Sequence, residues 1–480
     1  MLHIARPALA ALALVGAACS VNPATGERQF LLTSQAQEVS MGRQYDQQIV
    51  AVMGLYEDQS LQGYLQELGT RIARTTENPD LPWTFRVVDD AVVNAFALPG
   101  GFIYITRGIL AHMDNEAQLA AVLGHEIGHV TGRHSAAQAS QQQLAQIGLA
   151  VGVVLRPELA PYADVAQAGL GLLFLRHSRD DERQADDLGL RYMQHVNFDP
   201  RQAPEVFTML EQVTAAAGGG GTPEWLSTHP NPGSRRERLE AAIAAQPPRD
   251  YDAMATNRAA YLARLDGMVY GPDPREGYFR EALFRHPVLR FQLRFPDGWT
   301  TANRRDVVMA VSPGEDAIMQ LRLAGEPTPE AAADAFFAQQ GMAAAAPTRT
   351  TVGGHAAVGA AFTATTESGS LSGEALFVAY GGNVYSLVGF AVTSVWNGVA
   401  RSVGASLRSF ATLTDPAALS AEPRRVSIVT LDASMNFRQF AERYAQPGES
   451  DLLMLLNRTH ANARFAQGAR LKTITAGRMP

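Results

Sequence analysis

Apolar residues recur three and four positions apart through residues 34 to 75, most clearly at Leu61, Tyr64, Leu65, Leu68 and Ile72, and this spacing predicts helices. The period then shortens. Trp83 to Asp89 and Phe102 to Thr106 read as strands, the second entered through the turn Pro99-Gly100-Gly101. Helical spacing returns at Leu119, Val122, Leu123, Ile127 and Val130, behind Asn115 and Gln118 as N-cap and capping box, and predicts a buried helix. Gly124, Gly128 and Gly132 run along another side of it; each costs up to ~1 kcal/mol against alanine, which a closely packed neighbour offsets. Further helices are predicted over 136–175, 180–195 and 200–216, ahead of a mobile run Gly218-Gly219-Gly220-Gly221.

Beyond Pro247-Pro248 a short helix is expected over Asn257 to Leu265, then a Gly/Pro-rich linker through Gly277. Strand-like runs at Phe291 to Phe295, Ala317 to Leu323 and Ala375 to Val392 surround a helix from Pro329 to Gly341, and a helix from Asn397 to Leu407 closes this unit. The final stretch reads strand, helix, helix, strand: Val426 to Leu431, Phe437 to Tyr444, Asp451 to Asn457 and Arg470 to Ile474. The expected chain is therefore multi-domain. A mainly α domain with a small β-sheet (α+β) spans 19–250, a linker 251–282, a small α/β module 283–412 and a C-terminal module 424–478.

With 480 residues there is ample chain for several cores, and a net charge of −7 without long basic runs argues against nucleic acid as a partner. The single cysteine, Cys19, excludes a disulfide framework. It follows an apolar run from Ala8 to Ala18 behind Arg6, so residues 1–18 read as a signal peptide. Gly16-Ala17-Ala18-Cys19 resembles a bacterial lipobox with glycine in place of the usual leucine, which implies a lipid anchor on Cys19; ordinary cleavage after Ala18 is the alternative. Ser20 resembles the residue that follows the cysteine in lipoproteins of the outer membrane. No later stretch has the ~18 consecutive apolar residues of a membrane span.

The chemistry centres on His125-Glu126-Ile127-Gly128-His129, the pattern H-E-x-x-H. Two imidazoles one helical turn apart can reach one zinc ion while Glu126 takes a proton from a water, which points to hydrolysis; a core helix with two satisfied histidines is the bland alternative. A catalytic zinc needs a third protein ligand. The pattern H-E-x-x-H-x-x-G-x-x-H fails by register, because Gly132 is in place but its last position holds Ser135 and His134 falls one residue short. Glu182 is the better candidate. It shares a helical face with Ala185, Asp186, Gly189 and Met193, and carboxylates facing a core are accounted for if Glu182 binds metal and Asp186 accepts a ligand histidine's other N–H.

These residues resemble the zinc metallopeptidase family of the CAAX prenyl proteases and their bacterial periplasmic relatives, whose third ligand is the glutamate of E-x-x-x-D. The resemblance covers roughly residues 22 to 245 and rests on Asn94 to Gly101, on His125 to His134 as H-E-x-x-H-x-x-x-R-H, on Glu182 to Asp186, and on Thr228-His229-Pro230 with Arg235 or Arg236 behind it. It implies one zinc ion held by His125, His129 and Glu182, with Glu126 as general base. It sets His229 beside the cleft, either closing the site as a fourth ligand or, like Arg235 or Arg236, stabilising an oxyanion; a surface histidine positioned only by the Pro230 turn is the alternative. It also implies that Phe102 to Thr106 is an edge strand, so that Gly101, Phe102 and Ile103 hold an extended peptide by main-chain pairing; an interior strand is the alternative. The implied substrates are unfolded or misassembled envelope proteins, and the implied location is the periplasm, at the outer membrane. Residues 283–412 resemble small α/β modules of the PsbP type. Residues 424–478 resemble a degenerate LysM module whose Gly-Asp-Thr opening is replaced by Ala433-Ser434-Met435-Asn436, making peptidoglycan a candidate partner and a structural cap the alternative. A zinc-stabilised chaperone or wall-associated scaffold with latent peptidase activity is the competing functional reading.

Overall fold

The computed structural model describes residues 19–141, 177–216, 224–229, 232–366 and 369–478; the expected signal peptide, the glycine run and most of the 136–175 helices lie outside them. The chain forms two compact units: Met1–Val50, Gly54–Tyr270 and Arg425–Thr475 make one, and Ala51–Met53, Gly271–Arg424 and Ala476–Pro480 the other. Mixed helices and sheets make the protein α+β.

In the first unit, β1 (Cys19–Val21) and β2 (Arg28–Phe30) form a short antiparallel pair. Helix α1 (Gln35–Met53) starts at a capping box between Ser34 and Gln37, and α2 (Gln59–Ala73) buries Leu61, Leu65, Leu68 and Ile72. Three strands follow: β3 (Thr84–Val88), β4 (Ala95–Leu98) and β5 (Phe102–Thr106). Their order is β3-β5-β4, so β5 is central, parallel to β3 and antiparallel to β4. This overturns the edge-strand expectation for Phe102 to Thr106, and Gly101, Phe102 and Ile103 are all buried. One face of β5 supplies Ile103 and Ile105 to the core, and the other lies under α1, where the Tyr104 hydroxyl donates to Asp46 at 2.7 Å.

The sheet's two edges differ. Gln62 and Gln66, one turn apart on α2, run their amides along β3 as a substitute strand: Gln62 donates to the Val87 carbonyl (2.7 Å) and accepts from its N–H (2.9 Å), while Gln66 accepts from Phe85 (3.0 Å) and donates to Trp83 (3.1 Å). β4 carries no such cover among the described strands. The Thr106 N–H donates to the Asn94 carbonyl at 3.1 Å, and antiparallel alternation from that pair turns the main-chain groups of Ala95 and Ala97 outward.

Below the sheet, α3 (Arg107–His112) leads to α4 (Glu116–Thr131), capped by Asn115 and buried along its whole length. It crosses α5 (Arg179–His195) closely, because a Cβ on Gly124 would stand 2.9 Å from the Gly189 carbonyl oxygen and one on Gly128 2.9 Å from that of Ala185. The offset expected for two glycines is this helix contact. Helices α6 (Gln202–Ala216), α7 (Glu224–Thr228), α8 (Pro232–Ala244) and α9 (Arg258–Leu265) complete the main part of the unit.

The strands Val426–Thr430 and Arg470–Ile474 pair antiparallel around two short helices, and Val426, Leu456 and Ile474 enter the same apolar core as Leu119 and Leu123. Lys472 has no solvent exposure; its ammonium donates to the carbonyls of Ala111 (3.0 Å) and Met113 (2.9 Å) and lies 3.3 Å from Asp114. The C-terminal segment thus packs against the residues that lead into α4.

In the second unit, long antiparallel strands at His355–Thr366, Gly369–Tyr380, Asn383–Val392 and Ala317–Leu323 form the middle of one sheet, with helix Thr393–Leu407 on one face and Pro329–Phe337 on the other. The run Ala375 to Val392 is a hairpin bent at Gly381 and Gly382, whose φ angles of 59° and 84° suit glycine.

Candidate metal centre

Helix α4 delivers His125, Glu126 and His129; α5 brings Glu182 and Asp186 across the glycine-lined crossing; His229 follows α7, and Arg235 comes from α8. The Nε2 atoms of His125 and His129 face each other at 3.0 Å. Glu182 lies 3.5 Å from His129 Nε2 and 3.7 Å from His125 Nε2, and His229 Nδ1 is 3.3 Å from His125 Nε2 and 2.8 Å from Glu182. One ligand atom from each of His125, His129, Glu182 and His229 falls within 4.8 Å of all the others, and all four residues are buried.

Behind this cluster, His125 Nδ1 sits 3.1 Å from Asp186. The Arg235 guanidinium is also near that nitrogen, at 3.3 Å, but it has only protons to offer and is committed to Asp186 (2.6 Å) and Glu182 (2.5 Å), so Asp186 is the acceptor for His125 Nδ1–H. His125 Nε2 then presents a lone pair to the other three residues. Nitrogen and carboxylate lone pairs this close repel one another out of water unless protons or a cation lie among them, and two imidazoles with one carboxylate are a donor set that zinc takes. The residues present fit zinc.

Charge is balanced tightly here. Burial would push the Glu182 carboxyl up, but His229 and Arg235 beside it hold it well below the usual range. Burial acts likewise on Asp186, and Arg235 again wins. His229 would be driven down by burial, yet the carboxylates of Glu182 and Glu126 raise it. Of the two candidate arginines, Arg235 enters the site, its guanidinium lying over the rings of Phe207 (4.7 Å) and Trp225 (5.2 Å).

Two neighbours were not singled out by sequence. Trp225 donates from Nε1 to Glu126 at 3.4 Å and stacks on His229 with ring centres 4.7 Å apart. His177, just before the Ser178 cap of α5, stacks on His129 at 4.0 Å, and burial lowers it to about 3. Neither had a spacing signal, since Trp225 lies in a five-residue helix and His177 just ahead of α5, where no periodic pattern extends. Gly101 is buried in the turn before β5, and Phe102 and Ile103 lie in that central strand; a small cavity beside His129 is lined by Ala97, Leu98, Pro99, Val130 and Ser135. Cys19 lies in β1, opposite Phe30. Among the described residues, no helix is long and apolar enough to cross a membrane.

Residues 59–243 match peptidase family M48. The chain is 34% identical over 212 residues to the beta-barrel assembly-enhancing protease of Escherichia coli, covering 42% of this chain and 43% of that protein. It is 34% identical over 188 residues to the mitochondrial metalloendopeptidase OMA1 of Arabidopsis thaliana, covering 38% and 36%. The chain spans about half or less of the length of the curated relatives it matches.

Proposed function

We propose, from the match of residues 59–243 to peptidase family M48, that the chain is a zinc-dependent endopeptidase of the bacterial cell envelope. The observation that carries this reading is the convergence of His125, His129 and Glu182 on one buried point with Glu126 beside it. Zinc bound there would act as a Lewis acid on the scissile carbonyl. Glu126 takes the proton of the attacking water and passes it to the leaving amine, while Trp225 Nε1–H, 3.4 Å away, orients the carboxylate. Asp186 orients His125, and Arg235, its charge spent on two carboxylates, positions Glu182 and Asp186.

Extended substrate is assigned to the β4 edge. Outward main-chain groups at Ala95 and Ala97 offer pairing with little demand on side chains, which suits unfolded or misassembled protein. The names of the beta-barrel assembly-enhancing relatives support envelope proteins as clients. Tethering through lipidated Cys19 is part of the same proposal, tested by mass spectrometry of the mature N-terminus: acylation is expected, and a free thiol rejects the tether. For residues 424–478, a LysM-like segment by sequence, the buried Lys472 favours a structural cap over peptidoglycan binding. One observation favours the chaperone-like alternative with latent activity: His229 stands among the ligand atoms, where it would keep the peptidase closed.

The test is metal analysis with casein cleavage. Glu126→Gln is expected to keep zinc and to lose turnover by ~100-fold or more, since general-base catalysis is worth ~100- to 10,000-fold. Unchanged turnover would remove the peptidase reading, and loss of zinc would remove the ligand assignment.

A further inference from the structure

We propose that His134 is a positioning residue that sets the tautomer of His129 through a hydrogen-bond relay ending at Glu27; the proposal rests on the zinc reading of the site. His129 Nδ1 and His134 Nδ1 are 2.9 Å apart, His134 Nε2 is 3.3 Å from Gln184 Oε1, and Gln184 Nε2 is 2.8 Å from Glu27. Each link fixes the next. Glu27, as a carboxylate, has only lone pairs to offer, so Gln184 turns its NH2 toward Glu27 and its carbonyl oxygen toward His134. That oxygen takes the proton on His134 Nε2, which leaves neutral His134 with a lone pair on Nδ1. The lone pair accepts from His129 Nδ1–H. His129 Nε2 is then a bare acceptor pointed at His125 and Glu182, the form that can bind a metal.

The backbone is shaped for this contact. Arg133 is held in the left-handed region at φ 56°, with its guanidinium on Glu38 and on the Thr33 carbonyl at 2.9 Å, so the chain doubles back past the end of α4. The His134 ring folds over Gly132 so closely that a Cβ there would overlap its Nε2 and Cε1 atoms. Gly132 differs in this from Gly124 and Gly128, which face α5. His134 is 1% exposed, so the link to His129 lies out of competition with water.

The experiment titrates the full chain with zinc against a competing chelator and records the visible spectrum of the cobalt-substituted protein. His134→Phe keeps a ring of similar size but removes the acceptor; its zinc affinity should fall ~10- to 100-fold, as for other residues that orient a metal ligand, with altered cobalt bands. Gln184→Met should shift affinity in the same direction, and it decides the matter if circular dichroism shows that His134→Phe has not folded. Wild-type affinity and spectrum in both His134→Phe and Gln184→Met would overturn the relay while leaving the metal centre standing. A wild-type chain that binds no zinc would overturn the metal-centre reading itself.

Discussion

At the scale of single residues, the metal centre holds one more donor than a catalytic zinc uses. His229 Nδ1 lies 2.8 Å from Glu182 and 3.3 Å from His125 Nε2, inside the ligand cluster instead of on the substrate side of it. On the proposed zinc reading, a side chain there would take the position that a water must occupy for hydrolysis. His229→Ala is therefore expected to raise basal casein cleavage severalfold with zinc retained; a fall of ~100- to 1,000-fold would instead identify an oxyanion donor. The two α5 carboxylates separate by role in the same assay. Glu182→Ala should empty the site, whereas Asp186→Ala should weaken zinc by only ~10- to 100-fold, because it holds His125 and not the metal.

At the scale of elements, the three-stranded sheet has one closed edge and one open edge. Gln62 and Gln66 bond four main-chain groups along β3, of which the Val87 carbonyl also accepts from the Tyr56 N–H, so Gln62→Ala with Gln66→Ala should bare part of a strand edge and lower stability by ~1 to 3 kcal/mol, with new self-association in light scattering. A double variant that stays monomeric and as stable as the wild type would show that the amides cover nothing of consequence. This sheet also marks where sequence runs out. A period of two tells which side chains share a face, not which strand lies alongside, so Phe102 to Thr106 suited an edge or a centre equally. Strand His355–Thr366 was missed because alanine, glycine and threonine carry little apolar contrast. The helix-borne donors were legible. His125, His129 and Glu182 lie on strongly patterned helices, and carboxylates on a core face ask for a partner, while the approach of Trp225 and His177 depends on how distant segments pack.

At the scale of the whole molecule, the first unit is discontinuous in sequence. Val426, Leu456 and Ile474 complete a core begun by residues before Tyr270, and Lys472 ties the carbonyls of Ala111 and Met113, just ahead of α4. Lys472→Met leaves Asp114 and two buried carbonyls without their cation, and is expected to cost ~3 to 5 kcal/mol in a denaturant melt of the full chain. A loss under ~1 kcal/mol would show that the C-terminal segment is dispensable to the unit.

That discontinuity sets an order of events during biosynthesis. The metal-binding helices leave the ribosome early, but the strand Arg470–Ile474 that finishes their support follows only after Gly271–Arg424 has been made. At ~5 to 20 residues per second, the nascent first unit waits on the order of ten seconds for its last strand. The core of the first unit is therefore complete only once nearly the whole chain is available.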